Sequence, residues 1–326
     1  MIEFLSNSEW LTPQINFLLF LQNIRTEHFE MFNKFFLSVT ILGEHWFPTL
    51  VCAIIYWCFD SKAGMYLFSL CSINAVLLHL FKMIACVYRP WILSDKIHPV
   101  PEAVTYAKGY SFPSGHSAMS SSVFGGIAWT TRNKKILAIC LVLLVLLVGF
   151  SRMWLGVHTP QDVIVGLTIG FSLVFVMHYL INWAEKDINR YLYILLFINI
   201  FMAAALAYIC YFIHYPMDYV DGKLLVNPDK SIYTAVLCYG YAAGLINGCL
   251  LCRRFFPFEA KEGGVRARIV RGVIGAIFIL IILKSVVLHL FSNYCDYKIA
   301  FALPFFSGIL ITGVYPYIFS HIKIKK

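Results

Sequence analysis

An all-α, polytopic membrane bundle of about nine spans is the fold class this sequence predicts, and three observations predict it. Charged residues make up only 13% of the 326-residue chain, about half the share found in soluble globular proteins. Mean hydropathy is +0.74. Apolar runs of ~20 residues, the length a helix needs to cross a hydrocarbon core, recur along the whole chain.

In chain order, MIEFLSNSEW lacks the basic start and small-residue cleavage pattern of a secretory leader. Residues 10–39 are apolar but broken by Pro13, Gln14, Asn16, Gln22, Asn23, Arg25, Glu27 and Lys34. That pattern suits one or two helices in the membrane interface better than a clean span. Nine spans are expected near 44–59, 64–86, 116–131, 135–152, 161–182, 191–213, 231–252, 269–290 and 297–320. Links as short as DSKAG (60–64) and RNKK (132–135) make tight antiparallel turns. The third span is the weakest, because it opens on SAMSSS. The chain thus divides into interfacial helices at 1–40, a core at 41–190 that carries the polar clusters, and additional C-terminal transmembrane helices at 191–326.

The net charge is +9. In a membrane chain this reflects basic cytoplasmic loops rather than nucleic-acid binding. Alternate links hold Lys62, Arg132, Lys134, Lys135, Lys186, Arg190, Arg253, Arg254, Lys261, Arg266, Arg268, Arg271, Lys323, Lys325 and Lys326, whereas the opposite side holds Lys96, Lys108, Lys223, Lys230 and Lys298. The first side, with the C-terminus, is expected to be cytoplasmic and the second extracytoplasmic or lumenal. Most of the ten cysteines lie inside apolar runs. Cys249 and Cys252 form a C-x-x-C with no second pair, which reads as packing; Cys295 alone sits in a loop.

Three polar clusters interrupt the apolar pattern: KMIACVYRP (82–90), PSGH (113–116) and SRMWLGVHTPQD (151–162). The span count brings all three to the outward face. Lys82 and Arg89 are two helical turns apart, so both project from one face of a helix end that Pro90 closes. Arg152 is a third cation at that level. Cations in an apolar span without matching carboxylates call for an external anion, and phosphate is the natural guest. PSGH sits at a helix start, where free N–H groups and the helix dipole favour an anion, Gly115 lets the backbone approach, and Ser114 adds a hydroxyl. His158 and Asp162, four apart, can hydrogen-bond, which fixes the imidazole tautomer. With His116, two histidines and an orienting acid surround the pocket: one can attack phosphorus and the other protonate the leaving oxygen. The cations can stabilise the equatorial oxygens, so no metal ion or other cofactor is needed.

Taken together, Lys82 with six residues before Arg89-Pro90, Pro113-Ser114-Gly115-His116, and Ser151-Arg152 with five residues before His158 and three before Asp162 resemble the complete three-part signature of the type 2 phosphatidic acid phosphatase superfamily. That resemblance implies a six-helix-type phosphatase core. It implies His158 as nucleophile, Asp162 as its orienting acid, and His116 as general acid and then base. Lys82, Arg89, Ser114, Gly115 and Arg152 would hold the phosphoryl group, with Pro113 and Ser151 in support. LGEHWF (42–47) is loosely similar to the sphingosine-1-phosphate phosphatase branch, and nine spans to the glucose-6-phosphatase layout. Glu44, His45 and Lys284 are candidates for head-group selection, with His289 near Lys284; an ordinary interfacial role suits the same residues. The expected substrate is a lipid phosphomonoester, with a polyprenyl pyrophosphate or a sugar phosphate as alternatives. A transporter or flippase built on a phosphate-binding core stays open as a second class. The expected partners are the lipid substrate and membrane lipids, and the oligomeric state is unreadable.

Overall fold

Each of the nine apolar runs is helical in the computed structural model, which describes residues 9–27, 30–105, 107, 109–262, 264–292 and 296–321, and for 283, 285–292 and 321 the backbone alone. His289's side chain, Cys295, Lys108 and the basic residues of the C-terminal tail fall outside that description. The helices are α1 (Thr12–Glu27), α2 (Phe32–Thr40), α3 (Trp46–Ile54), α4 (Ser61–Ala85), α5 (Pro90–Leu93), α6 (Pro101–Val104), α7 (Gly115–Thr130), α8 (Lys135–Trp154), α9 (Pro160–Ala184), α10 (Arg190–Tyr211), α11 (Pro228–Phe255), α12 (Gly264–Ser292), α13 (Tyr297–Ile309) and α14 (Tyr315–His321). A 3₁₀ turn, Ile41–Gly43, follows α2, and π turns at Ile55–Phe59 and Leu310–Val314 continue α3 and α13. Tyr219–Val220 and Lys223–Leu224 form a small antiparallel hairpin. Asp221 and Gly222 at its tip both have positive φ (50° and 71°), the geometry a two-residue Asp-Gly turn supplies.

Among the described residues six helices are long and apolar enough to cross a membrane, or seven if 32–43 and 46–59 make one broken span. The third expected span is where composition decides otherwise. α7 has 16 residues, a length of about 24 Å against a hydrocarbon core of about 30 Å. Ser117 to Gly126 are buried without a break, so α7 is an interior helix and not a lipid-facing one. The interrupted stretch 10–39 forms α1 and α2.

The chain forms two compact units. The first comprises Met1–Glu44, Leu77–Phe171 and Ile209–Ile232; the second comprises His45–Val76, Ser172–Tyr208 and Tyr233–Lys326. In the first unit α8 packs against α1, α2 and α7. Phe36 of α2 lies at the heart of an apolar cluster with Val100, Ala103, Trp154, Leu155 and Val157, its ring 4.9 Å from Trp154. α7 also lies against the start of α9 at backbone distance. A Cβ on Gly166 would stand 2.6 Å from the Ser114 carbonyl oxygen, and one on Gly170 would collide with Ser121 and Ala118. Small residues on both helices make this approach possible.

The second unit uses the same device. Gly240, Gly244 and Gly248 of α11 face Phe301, Phe305 with Gly308, and Thr312. Asn199 and Asn247 exchange side-chain amide hydrogen bonds of 3.1 and 3.0 Å between α10 and α11. Arg271 is buried and donates to the Trp57 carbonyl at 2.7 Å, so this basic residue is an internal brace and not a loop charge. Glu185 accepts from Lys62 at 2.8 Å and from Arg253 at 3.1 Å, gathering three polar links.

The α7–α9 contact yields a test. Gly170→Leu forces a side chain into backbone and should lower stability by about 3 kcal/mol or more, seen as a fall in melting temperature in detergent. Thr168→Ala, on the exposed side of the same helix, should leave it unchanged.

Candidate active site

Three backbone terminations bring the polar clusters together. α4 ends at Ala85, because Cys86 takes a left-handed conformation (φ 48°) and its N–H returns to the Lys82 carbonyl at 3.1 Å. The sequence expectation of one helix carrying both Lys82 and Arg89 is therefore corrected. Lys82 is on the last turn of α4, while Arg89 arrives on extended backbone as the residue preceding α5 (φ −70°, ψ 153°). Proline after Arg89 enforces that extended geometry.

The third cluster turns by a Schellman motif. The N–H of Gly156, at φ 74°, donates to the Met153 carbonyl (3.0 Å), and that of Val157 to the Arg152 carbonyl (3.1 Å). This is the paired closure that ends helices on a left-handed glycine. It folds His158 back beside Arg152, and α9 then starts at Pro160. The second cluster starts a helix. Ser114 is the N-cap of α7, its hydroxyl oxygen accepting from the Ser117 N–H (3.5 Å) and the Ser117 hydroxyl (2.9 Å). Gly115 and His116 form the first turn.

Hydrogen bonds knit the clusters to one another. Lys82 Nζ donates to the carbonyls of Tyr110 (3.0 Å) and Ser111 (2.9 Å). Ser111 N–H donates to the Val87 carbonyl at 2.7 Å, and Ser114 N–H to the Asp162 carbonyl at 2.9 Å. Arg89 donates from Nη1 to the Val157 carbonyl (3.0 Å) and lies 2.9 Å from His158 Nε2. His158 Nδ1 is 3.1 Å from Asp162 Oδ2. That same oxygen accepts from Ser111 Oγ (2.5 Å) and from the Thr159 N–H (2.9 Å).

Together these contacts assign the imidazole. A proton on Nδ1 donates to the carboxylate and leaves Nε2 as the acceptor facing Arg89. Burial, then the positive charges of Arg89, Lys82 and Arg152, hold the His158 pKa well below the usual imidazole range, so the ring is neutral with a lone pair on Nε2. Arg152 is 1% exposed. Its Nη1 donates to Thr40 Oγ1 at 2.5 Å, while Nε and Nη2 are buried without a hydrogen-bond partner among the described residues. Buried guanidinium donors facing no acceptor mark a place for an anion. A cavity of about 240 Å³ adjoins the cluster, its apolar wall made by Leu11, Val87, Leu93 and Phe112 and its polar end by Thr159 and Asp162.

The structure brings Lys82, Arg89, Ser111, Ser114, Arg152, His158 and Asp162 into one network. Ser151 supports it from α8, donating to the Val148 carbonyl at 2.6 Å, and Pro113 is buried in the turn before Ser114. Glu44 belongs to the same unit and attracts the Arg152 guanidinium. His45 and Lys284 are exposed residues of the second unit.

Four residues in or around the network escape the motif reading. Ser111 touches both His158 Nδ1 (3.3 Å) and Asp162. Gly156 was legible as a glycine closing a helix. Arg25 of α1, 4% exposed, donates to the carbonyls of Trp154 (2.7 Å) and His98 (2.5 Å); an arginine amid apolar residues was its only signal. Thr40 gave none.

Comparison with known proteins adds a family. Residues 62–186 match the PAP2 superfamily, and residues 236–326 match the PAP2 superfamily phosphatase transmembrane extension. Phosphatidylglycerophosphatase B of Bacillus subtilis (strain 168) is 28% identical over 170 residues, covering 49% of this chain and 78% of that one. Undecaprenyl-diphosphatase BcrC of the same organism is 36% identical over 96 residues, covering 28% of this chain and 46% of its own length. The crystal structure of a transmembrane PAP2 type phosphatidylglycerolphosphate phosphatase from Bacillus subtilis superposes with a TM-score of 0.45 at 22% identity, over 57% of this chain and 91% of that one.

The Schellman turn is open to test. A Cβ at Gly156 would lie 3.1 Å from Pro99 Cα on left-handed backbone. Gly156→Ala should therefore cost about 1–2 kcal/mol from the backbone conformation alone, measured as a lowered unfolding midpoint.

Proposed function

The chain carries a PAP2 superfamily domain and that superfamily's transmembrane extension, and from this premise we propose that it removes phosphate from a membrane lipid through a phosphohistidine on His158. The chain is a multi-pass membrane phosphatase of the PAP2 type; the substrate, the intermediate and the residue roles are our reading. The observation that carries it is the setting of His158: buried, held at Nδ1 by Asp162 and faced at Nε2 by Arg89.

In the proposed reaction Nε2 of His158 attacks phosphorus. The N–P bond forms as the bond to the lipid oxygen breaks, and His116 gives its proton to the departing alkoxide. Lys82, Arg89, Arg152 and the N–H groups at the start of α7 stabilise the charge on the equatorial oxygens. Arg89, whose Nη1 lies 2.9 Å from Nε2, exchanges that contact for a phosphoryl oxygen. His116 then takes a proton from water, which attacks phosphorus, breaks the N–P bond and releases inorganic phosphate. The apolar cavity beside Asp162 supports a lipid over a soluble ester. The basic residues on the opposite links support an extracytoplasmic or lumenal site with a cytoplasmic C-terminus.

A phosphatidylglycerophosphatase relative favours a glycerolipid phosphomonoester. An undecaprenyl-diphosphatase relative favours a second reading, a polyprenyl diphosphate. Purified protein assayed for phosphate release on both lipids and on glucose 6-phosphate separates them. We expect lipid hydrolysis that survives chelators, and losses of about 10²–10⁴-fold in His116→Ala and at least as large in His158→Ala. Undiminished release by His158→Ala would sink the mechanism, and strict dependence on a divalent ion would contradict the metal-free scheme. No release from any of these esters by the unmutated protein would favour a transporter.

The pH dependence has a definite sign. Activity needs neutral His158, so it holds above the lowered pKa and falls as pH drops through it. The acid limb of kcat/KM should lie well below pH 6.5, the ordinary value for histidine. Arg89→Met removes a neighbouring positive charge and should move that limb upward. An acid limb at or above pH 6.5 in the unmutated protein would contradict a cation-depressed histidine.

A further inference from the structure

Arg152 has more hydrogen-bonding capacity than the protein uses, and the way it is held selects which part stays open. Its guanidinium is buried on the last turn of α8. Nη1 is fastened to the Thr40 hydroxyl at 2.5 Å, and Nε and Nη2 meet no acceptor among the described residues. A guanidinium is planar, so fixing one nitrogen fixes the direction of the others. The edge left open carries Nε and Nη2 side by side, which matches two oxygens of a phosphoryl group in parallel.

We infer that Thr40 is a positioning residue for phosphoryl recognition, orienting the Nε–Nη2 edge of Arg152 toward the anion. The inference rests on the reading of Arg152 as a phosphate ligand. Thr40 is 6% exposed and ends α2, which packs along α8. The turn that follows reaches the second cluster as well. A Cβ on Gly43 would stand 2.8 Å from His116 Cβ, so the backbone of this turn is seated directly against the proposed general acid. One short segment, Thr40 to Gly43, thus meets Arg152 of the third cluster and His116 of the second. It lies outside all three motifs and outside the residues matched to the PAP2 superfamily (62–186).

Thr40→Val keeps the shape and removes the acceptor; Thr40→Ala serves if the valine variant does not fold, and Thr40→Ser restores the hydroxyl. The measurements are KM and kcat on the best lipid substrate and competitive inhibition by inorganic phosphate. We expect Thr40→Val to raise KM and the phosphate inhibition constant about tenfold, the loss of one charge-assisted hydrogen bond, with kcat within about twofold. Thr40→Ser should behave as the unmutated protein. In an Arg152→Ala background Thr40→Val should change neither constant, because residues acting through one another do not add. An unchanged inhibition constant in a folded Thr40→Val protein would overturn the inference, as would an equal effect with and without Arg152. If the unmutated protein releases no phosphate and is not inhibited by it, the phosphatase reading falls first and the inference with it.

Discussion

A single carboxylate oxygen, Asp162 Oδ2, anchors the arrangement on which the site depends. It takes hydrogen bonds from Ser111, the Thr159 backbone and His158. Lys82 and Arg89 act electrostatically on that buried acid, and together with Arg152 they act on His158. Charges of one sign buried together are tolerated only where other groups balance them. Asp162 supplies part of that balance and fixes the imidazole; the remainder is what a phosphoryl group would bring. The same electrostatic requirement accounts for the buried edge of Arg152 that meets no acceptor among the described residues and for the packing that surrounds it. Glycines at 166 and 170 let α9 lie against α7 so that Ser114 and Asp162 can join backbones.

Much of this was legible from the chain. All nine apolar runs are helices, because run length and composition alone decide whether a segment satisfies its backbone inside a membrane. The three clusters were legible because cations and histidines are conspicuous among apolar residues. The limits are equally physical. Lys82 and Arg89 look like two turns of one helix, yet Cys86 breaks it in a left-handed conformation, which no β-substituted residue advertises. α7 has the hydropathy of a weak span, but its serines and glycines make it an interior helix. Thr40 and Arg25 act through contacts more than a hundred residues away in sequence, to Arg152 and Trp154, and periodicity carries no information at that range.

The second unit holds its own polar fastenings: the paired amides of Asn199 and Asn247, the Arg271 brace and the Glu185 cluster. Among its described residues the glycine face of α11 against α13 repeats the logic of the α7–α9 contact. Close helix approach through glycine is therefore used both in the unit that carries the three polar clusters and in the second unit.

That Nε2 of His158 attacks phosphorus is tested most directly by rapid alkaline quenching of the unmutated protein within its first turnover of a phosphorus-labelled lipid phosphate. Label should appear transiently on the protein as an acid-labile, base-stable phosphohistidine. The label should be absent when His158 is replaced by alanine. Label retained without His158, or turnover with no labelled protein at any quench time, would contradict the account.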